Sequence, residues 1–192
     1  MLFRSVLEKL AGDQGLRKGG KEYALAQAHY QEGKNLQARG QIQPAAEQLR
    51  QSEALFRQAL AASPENYIAH LRLAELALMR GDSVSALDHI GQAAAKQPQF
   101  LPMKARLFVQ LGQLGQAISI YEQLLAQTPN AIGHNLALAG LEYDKGEMDK
   151  AAGRYDKIVE QFPDDPRAYI RKAMIIAQTQ STAKAEQYLG QI

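Results

Sequence analysis

Between Tyr67 and Phe100, apolar residues return every three or four positions. Leu71, Leu73, Ala74, Ala77 and Leu78 fall at the spacing of a helical face. Gly81-Asp82-Ser83 interrupts the pattern. Glycine suits a left-handed helix end, and Asp or Ser serves as the next N-cap. Ala86, Leu87, Ile90, Ala93 and Ala94 then mark one face of a second helix, which Pro98 closes because proline cannot continue it. The pattern predicts two antiparallel helices. Neither can bury its apolar stripe alone, so the pair must stack on something like itself.

The chain supplies copies. Gly40, Gly81, Gly112 and Gly146 are each followed five residues later by alanine, at Ala45, Ala86, Ala117 and Ala151. Seven residues before each glycine stands a small residue: Gly33, Ala74, Ala105 and Ala139. Seventeen residues after three of them comes proline, at Pro98, Pro129 and Pro163. Small residues on facing helices let the axes approach to the short end of the usual range of about 8–10 Å. Ile90, Tyr121 and Tyr155 supply the bulk that fills the groove toward the next pair.

This Gly, Ala, aromatic and Pro pattern, four times in phase, resembles the tetratricopeptide repeat family, with its period of about 34 residues. The resemblance runs from about Ala26 to the C-terminus. It implies an all-α fold: a right-handed superhelical solenoid of antiparallel helix pairs, about five repeats long, with an extended first hairpin. The expected division is a short N-terminal helix and linker over 1–20, then a solenoid over 21–192. Its repeats would fall at about 21–66, 67–98, 99–131, 132–165 and an incomplete 166–192.

Departures from the regular period carry their own expectations. Gly40 to Pro64 is 24 residues instead of 17, an insertion of seven. Seven residues make about two helical turns and keep the face in register, so a long hairpin should form, with Pro44 just before its second helix. Pro98 to Gly112 is only 14 residues, which shortens the next first helix to about 102–111. Pro166 opens a helix with Tyr169, Ala173 and Ile176, and a last helix follows over about 182–192, with Gln180 in place of the loop glycine. That helix carries Leu189 and Ile192 with no polar cap after it. Either the chain is a fragment or a partner covers the end, and self-association through the C-terminal helix is expected.

The first ten residues place Leu2, Phe3, Val6, Leu7 and Leu10 on one helical face. Glu8 and Lys9 interrupt it too early for a secretory leader. Gly12 to Gly20 reads as a flexible basic linker, and it lacks the Gly-Lys-Ser/Thr ending of a phosphate loop. The leading segment either caps the first repeat or is disordered, or else it docks on a partner or a membrane surface.

Composition agrees with helices: 46% hydrophobic residues, no Trp, and no strand-length alternation of Val and Ile. The absence of cysteine excludes disulfides and thiolate metal sites and fits a reducing, cytoplasmic location. A net charge of +2, with both signs interspersed, offers no stripe for nucleic acid. No apolar run approaches the roughly 20 residues of a membrane span.

Chemistry is sparse. His29, His70, His89 and His134 read as dispersed over separate repeats, without H-x-x-x-H or H-E-x-x-H spacing. His70 falls where the family places a bulky packing residue, which implies a packed core histidine. Ser83 and Ser85 lack a nucleophile elbow, and Glu147, Asp149, Asp164 and Asp165 sit at helix starts, where carboxylates favour the dipole. No catalytic residue, metal site or cofactor is expected, and the chain is not expected to be an enzyme.

The resemblance implies binding instead. In such solenoids the first helix of each repeat lines a groove that holds an extended or helical segment of another protein. The matching positions here hold Lys34, Leu71, Arg72, Glu75, Leu78, Met79, Met103, Arg106, Gln110, Leu136, Gly140, Tyr143, Arg167, Arg171 and Met174, with Tyr30 and Gln31 beside them. Leu71, Leu78 and Leu136 also suit packing between repeats. A Lys, Asn, Asn, Lys, Arg set that clamps a C-terminal carboxylate in part of the family is not matched: its positions hold Tyr30, Lys34, Arg72, Gln99 and Met103. Arg72, Arg106, Arg167 and Arg171 among apolar residues suggest a partner segment with apolar anchors and acidic flanks. Three roles stay open: a scaffold or adaptor, a dedicated chaperone or assembly factor for a secreted or membrane-complex client, and a purely structural subunit.

Overall fold

The computed structural model describes residues 18–190, so the expectations for the leading helix, most of the linker and Ile192 lie outside the described residues. Ten α-helices and one short 3-10 turn make up the described chain: α1 (Gly20–Ala38), α2 (Ile42–Ala62), α3 (Tyr67–Met79), α4 (Ser83–Lys96), the turn Pro98–Phe100, α5 (Leu101–Gln110), α6 (Leu114–Gln127), α7 (Ile132–Asp144), α8 (Met148–Gln161), α9 (Pro166–Thr179) and α10 (Thr182–Leu189). No strand occurs among the described residues. The chain forms two compact units, divided between Lys104 and Ala105.

Each predicted loop glycine takes the left-handed conformation: φ is +73° at Gly40, +76° at Gly81, +70° at Gly112 and +86° at Gly146. At Gly81 the reason is visible in the hydrogen bonds. Gly81 N–H donates to Leu78 C=O (3.0 Å) and Asp82 N–H reaches back to Ala77 C=O (2.9 Å), which satisfies carbonyls that the helix end leaves over. Asp82 then caps α4 by accepting the Ser85 N–H at 3.0 Å. Of the two N-caps offered by the sequence, the aspartate is the one used.

In the first unit, α1 packs against α2, α2 against α3 and α3 against α4. Ala26, Tyr30, Phe56, Ala69, Leu73 and Leu76 form its core. The long hairpin is present, but α2 begins at Ile42, so Pro44 lies inside its first turn instead of before it. Proline costs nothing there because first-turn N–H groups have no partner within the helix. In the second unit, α6 packs on α7, α7 on α8, α8 on α9 and α9 on α10. Its core joins Ala139, Ala151, Tyr155, Ile158, Ala168 and Ile175.

The small residues predicted at the crossings are where packing requires them. Ala86, Ala105, Ala117, Ala139 and Ala151 are fully buried, and Ala45 and Ala74 nearly so. The shortened third repeat starts with the 3-10 turn over Pro98–Phe100, which passes directly into α5.

Candidate functional site

An open depression of about 730 Å³ lies in the second unit between α7 and α9. From α7, Leu136, Ala137, Gly140, Tyr143 and Asp144 face it, which is one stripe at helical spacing. From α9, Arg167, Ile170, Arg171 and Met174 face it in the same way. Tyr155 reaches it from α8 and contributes to its floor. Gly140 keeps the depression deep: a β-carbon there would stand 4.0 Å from the Tyr155 hydroxyl, so any longer side chain would fill the space above it.

One end is closed. The Tyr143 hydroxyl donates to Gln178 Oε1 at 2.6 Å, which ties α7 to α9. The walls are apolar and accessible. Ile170 is 53% exposed and Met174 45%, whereas Leu136 packs partly into the core. Large apolar side chains left open around a concavity are the usual mark of a recognition surface.

The two arginines of the depression differ. Asp165, the N-cap of α9, accepts the Arg167 backbone N–H at 3.0 Å and holds its guanidinium through Nη2 at 2.6 Å. These bonds lower the Asp165 carboxyl to about 2 and raise Arg167. Arg167 therefore brings its own counter-charge. Arg171 makes no ion pair among the described residues, and its contact is the Met174 sulfur at 4.0 Å. Burial pushes the Tyr155 phenol up, with Arg171 pulling in the other direction. The depression thus holds one cation without an ion-pair partner among the described residues, set among apolar walls, and Asp144 lines it too.

The structure brings together six of the residues expected from the sequence: Leu136, Gly140, Tyr143, Arg167, Arg171 and Met174. Arg106 and Gln110, on α5, are exposed but do not line this depression. Ile170 is a wall residue that sequence reasoning missed. Its signal was available, because it stands three after Arg167 and four before Met174, on the same face.

In the first unit three of the expected residues, Tyr30, Arg72 and Glu75, are engaged with one another. Arg72 donates to Gln27 Oε1 at 3.2 Å and to Glu75 Oε2 at 3.0 Å, and its guanidinium lies 5.0 Å from the centre of the Tyr30 ring. Tyr30 is buried, and burial together with Glu75 pushes its phenol up to about 12. This cluster joins α1 to α3, so Arg72 is not an available cation. Leu71 and Lys34 are half-buried, and Leu78 and Met103 are exposed. Met79 faces a different hollow of about 380 Å³, lined also by Ile42, Leu49 and Leu76.

Two side chains expected elsewhere are also corrected. His70 is half-buried instead of packed in the core, and His89 belongs to the same helix pair. Their Nδ1 atoms are 3.1 Å apart.

Comparison with known proteins agrees with this architecture. A family model described as tetratricopeptide repeat matches residues 45–107 and 108–175, more than half of the chain. The chain belongs to the tetratricopeptide repeat family. A crystal structure of MamA protein superposes with a TM-score of 0.60 at 17% identity, covering 86% of this chain and 88% of that one. MamA from Desulfovibrio magneticus RS-1 gives 0.61 at 11% identity, with 86% and 92% covered. YrrB, described as a TPR protein with an unusual peptide-binding site, gives 0.58 at 16% identity, with 99% and 90% covered. At such identities the likeness is one of fold. No curated protein matches the sequence. The family's repeat architecture is that of a protein–protein interaction scaffold in general, and no helix among the described residues is long and apolar enough to cross a membrane.

Proposed function

We propose that this chain is an interaction scaffold that holds a segment of another protein in the depression between α7 and α9. The observation that carries the reading is the pairing of open apolar walls, Ile170 and Met174, with Arg171, which makes no ion pair among the described residues. A segment with one or two apolar anchors and an acidic residue would bury the walls and neutralise the arginine. Methionine suits such a wall, since its flexible thioether adapts to differently shaped anchors. YrrB, of similar fold, carries a peptide-binding site by its own description, which supports a peptide-like ligand here.

The reading assigns binding and no catalysis. It also narrows the basic character expected of the groove. Arg72 and Arg167 are neutralised by Glu75 and Asp165, so specificity for acid should rest on Arg171.

The test uses peptides of matched apolar residues bearing either an acidic or a basic flank, titrated against the whole chain by fluorescence anisotropy. The acidic set should bind more tightly, and Arg171→Glu should reverse the order. Charge reversal should act mainly on association and its salt dependence. Tyr143→Ala should weaken binding by about 2 kcal/mol or more, as aromatic anchors often do. Equal binding of both sets to both proteins would refute the reading.

A further inference from the structure

His70 on α3 and His89 on α4 face each other across the first helix pair of regular length. Their Nδ1 atoms are 3.1 Å apart and their ring centroids 5.3 Å. The centroid separation is close to the nitrogen separation plus the two ring radii, so the rings meet nitrogen to nitrogen. Lone pairs aimed at one another suit a shared hydrogen, whereas two imidazoles chelating an ion converge on a point to one side. No group of three or more metal-ligating side chains occurs among the described residues.

The proton positions follow from the other contact. His70 Nε2 lies 3.3 Å from the Pro64 carbonyl oxygen, which can only accept, so this nitrogen carries a hydrogen. A neutral His70 then presents a bare Nδ1. His89 must supply the hydrogen from its own Nδ1, or two lone pairs would oppose each other. A further proton can sit on His89 Nε2 and leave that bond intact, so two N–H groups stand head to head only when both rings are cations.

We propose that the His70–His89 pair is a proton-sensitive latch between α3 and α4, closed by one N–H···N bond at neutral pH and opened when both rings become cations. The residues are half-buried, so protons reach them from solvent. The charges that act on His89 are Asp88 on its own helix and Glu53 and Arg57 on α2. Asp88 and Glu53 favour its protonation and Arg57 opposes it. Glu53 is itself engaged by Arg57 (2.8 Å) and Arg80. At the far end of the pair, Lys96 and Glu65 neutralise each other at 3.0 Å.

The sign follows from burial. Desolvation first, then His70, hold His89 below the usual imidazole value of 6.5. The unfolded chain therefore binds the proton more readily than the folded one. The latch contributes fully above the unfolded value of about 6.5 and is lost as pH falls through the lower folded value.

Nitrogen-15 NMR of histidine-labelled whole chain reads this directly. At pH 7.5, His70 should be the Nε2–H tautomer and His89 the Nδ1–H tautomer. His89 should titrate below the ordinary value, and amide signals of α3 and α4 should shift with it. In His70→Phe, the His89 tautomer preference should disappear and its titration move toward the ordinary value, which a purely structural role for His70 would not produce. In His89→Gln the amide signals of α3 and α4 should no longer move together with pH. The Nε2–H tautomer on both rings, or a His89 titration indifferent to His70→Phe, overturns the latch.

Discussion

At the scale of single residues, the strongest commitment is a charge pair that sequence reasoning did not single out. Glu142 on α7 is 4% exposed and accepts from Arg154 Nε at 2.9 Å and Nη2 at 2.7 Å across the crossing with α8. The bonds to Glu142 raise Arg154 above its usual value. A buried pair of this kind is weak evidence of net stabilisation, yet removing one partner strands the other in a poorly solvated site. Arg154→Met should therefore cost stability toward the low end of about 3–5 kcal/mol, since Arg154 keeps some contact with solvent. Adding Glu142→Gln should recover much of that loss. Chemical unfolding of the two variants beside the parent checks both statements, and a double variant no better than the single one would contradict the account.

The same scale shows what a sequence conceals. The capping aspartates and crossing alanines were legible because their partners lie within a few residues or recur in every copy. Arg167 and Asp165 are separated by two positions, so their pairing could have been foreseen from the cap itself. The engagement of Arg72 by Gln27 could not: 45 residues lie between them, and only the packing of α1 on α3 brings them together. His70 and His89, 19 apart, meet for the same kind of reason.

At the scale of helices, two glycines separate packing from propensity. A β-carbon on Gly33 of α1 would come within 2.7 Å of Leu49 Cδ2 and Cγ on α2, and 3.3 Å of the Ala45 carbonyl oxygen. The long hairpin thus depends on a bare backbone at that crossing. Gly153 of α8 has nothing within 4 Å of the corresponding point. Gly33→Ala should destabilise by roughly 1–3 kcal/mol through overpacking. Gly153→Ala should stabilise by roughly 0.5–1 kcal/mol, because alanine suits a helix interior and narrows the unfolded ensemble. Thermal melts that move in the same direction for both would contradict the packing argument.

Helix existence and order were readable from periodicity, and boundaries less so. The sequence places Pro44 outside α2 because proline commonly opens a helix. The structure uses the wider tolerance of the whole first turn. The 3-10 turn at Pro98–Phe100 left no periodic trace, since three residues are too few to show one.

At the scale of the molecule, a modest net charge and the family's repeat fold leave recognition to local surfaces. In the second unit, six of the residues expected in a groove line one depression. In the first unit, the corresponding positions on α1 and α3 close on each other through Tyr30, Arg72 and Glu75. The periodic pattern is the same in both. What differs is that Glu75, on the arginine's own helix, pairs with Arg72, whereas Arg171 makes no ion pair among the described residues.

The most direct test of the central claim fills the depression without disturbing its walls. Gly140→Leu places a side chain over Tyr155, and leucine is a better helix former than glycine, so the helix should not suffer. Peptides selected from a random displayed library against the parent chain should be enriched in apolar residues flanked by acid. Their affinity for Gly140→Leu should fall at least about tenfold, equivalent to about 1.4 kcal/mol, with circular dichroism unchanged. Selected peptides that bind the filled variant as tightly as the parent would place the binding surface elsewhere and contradict the account.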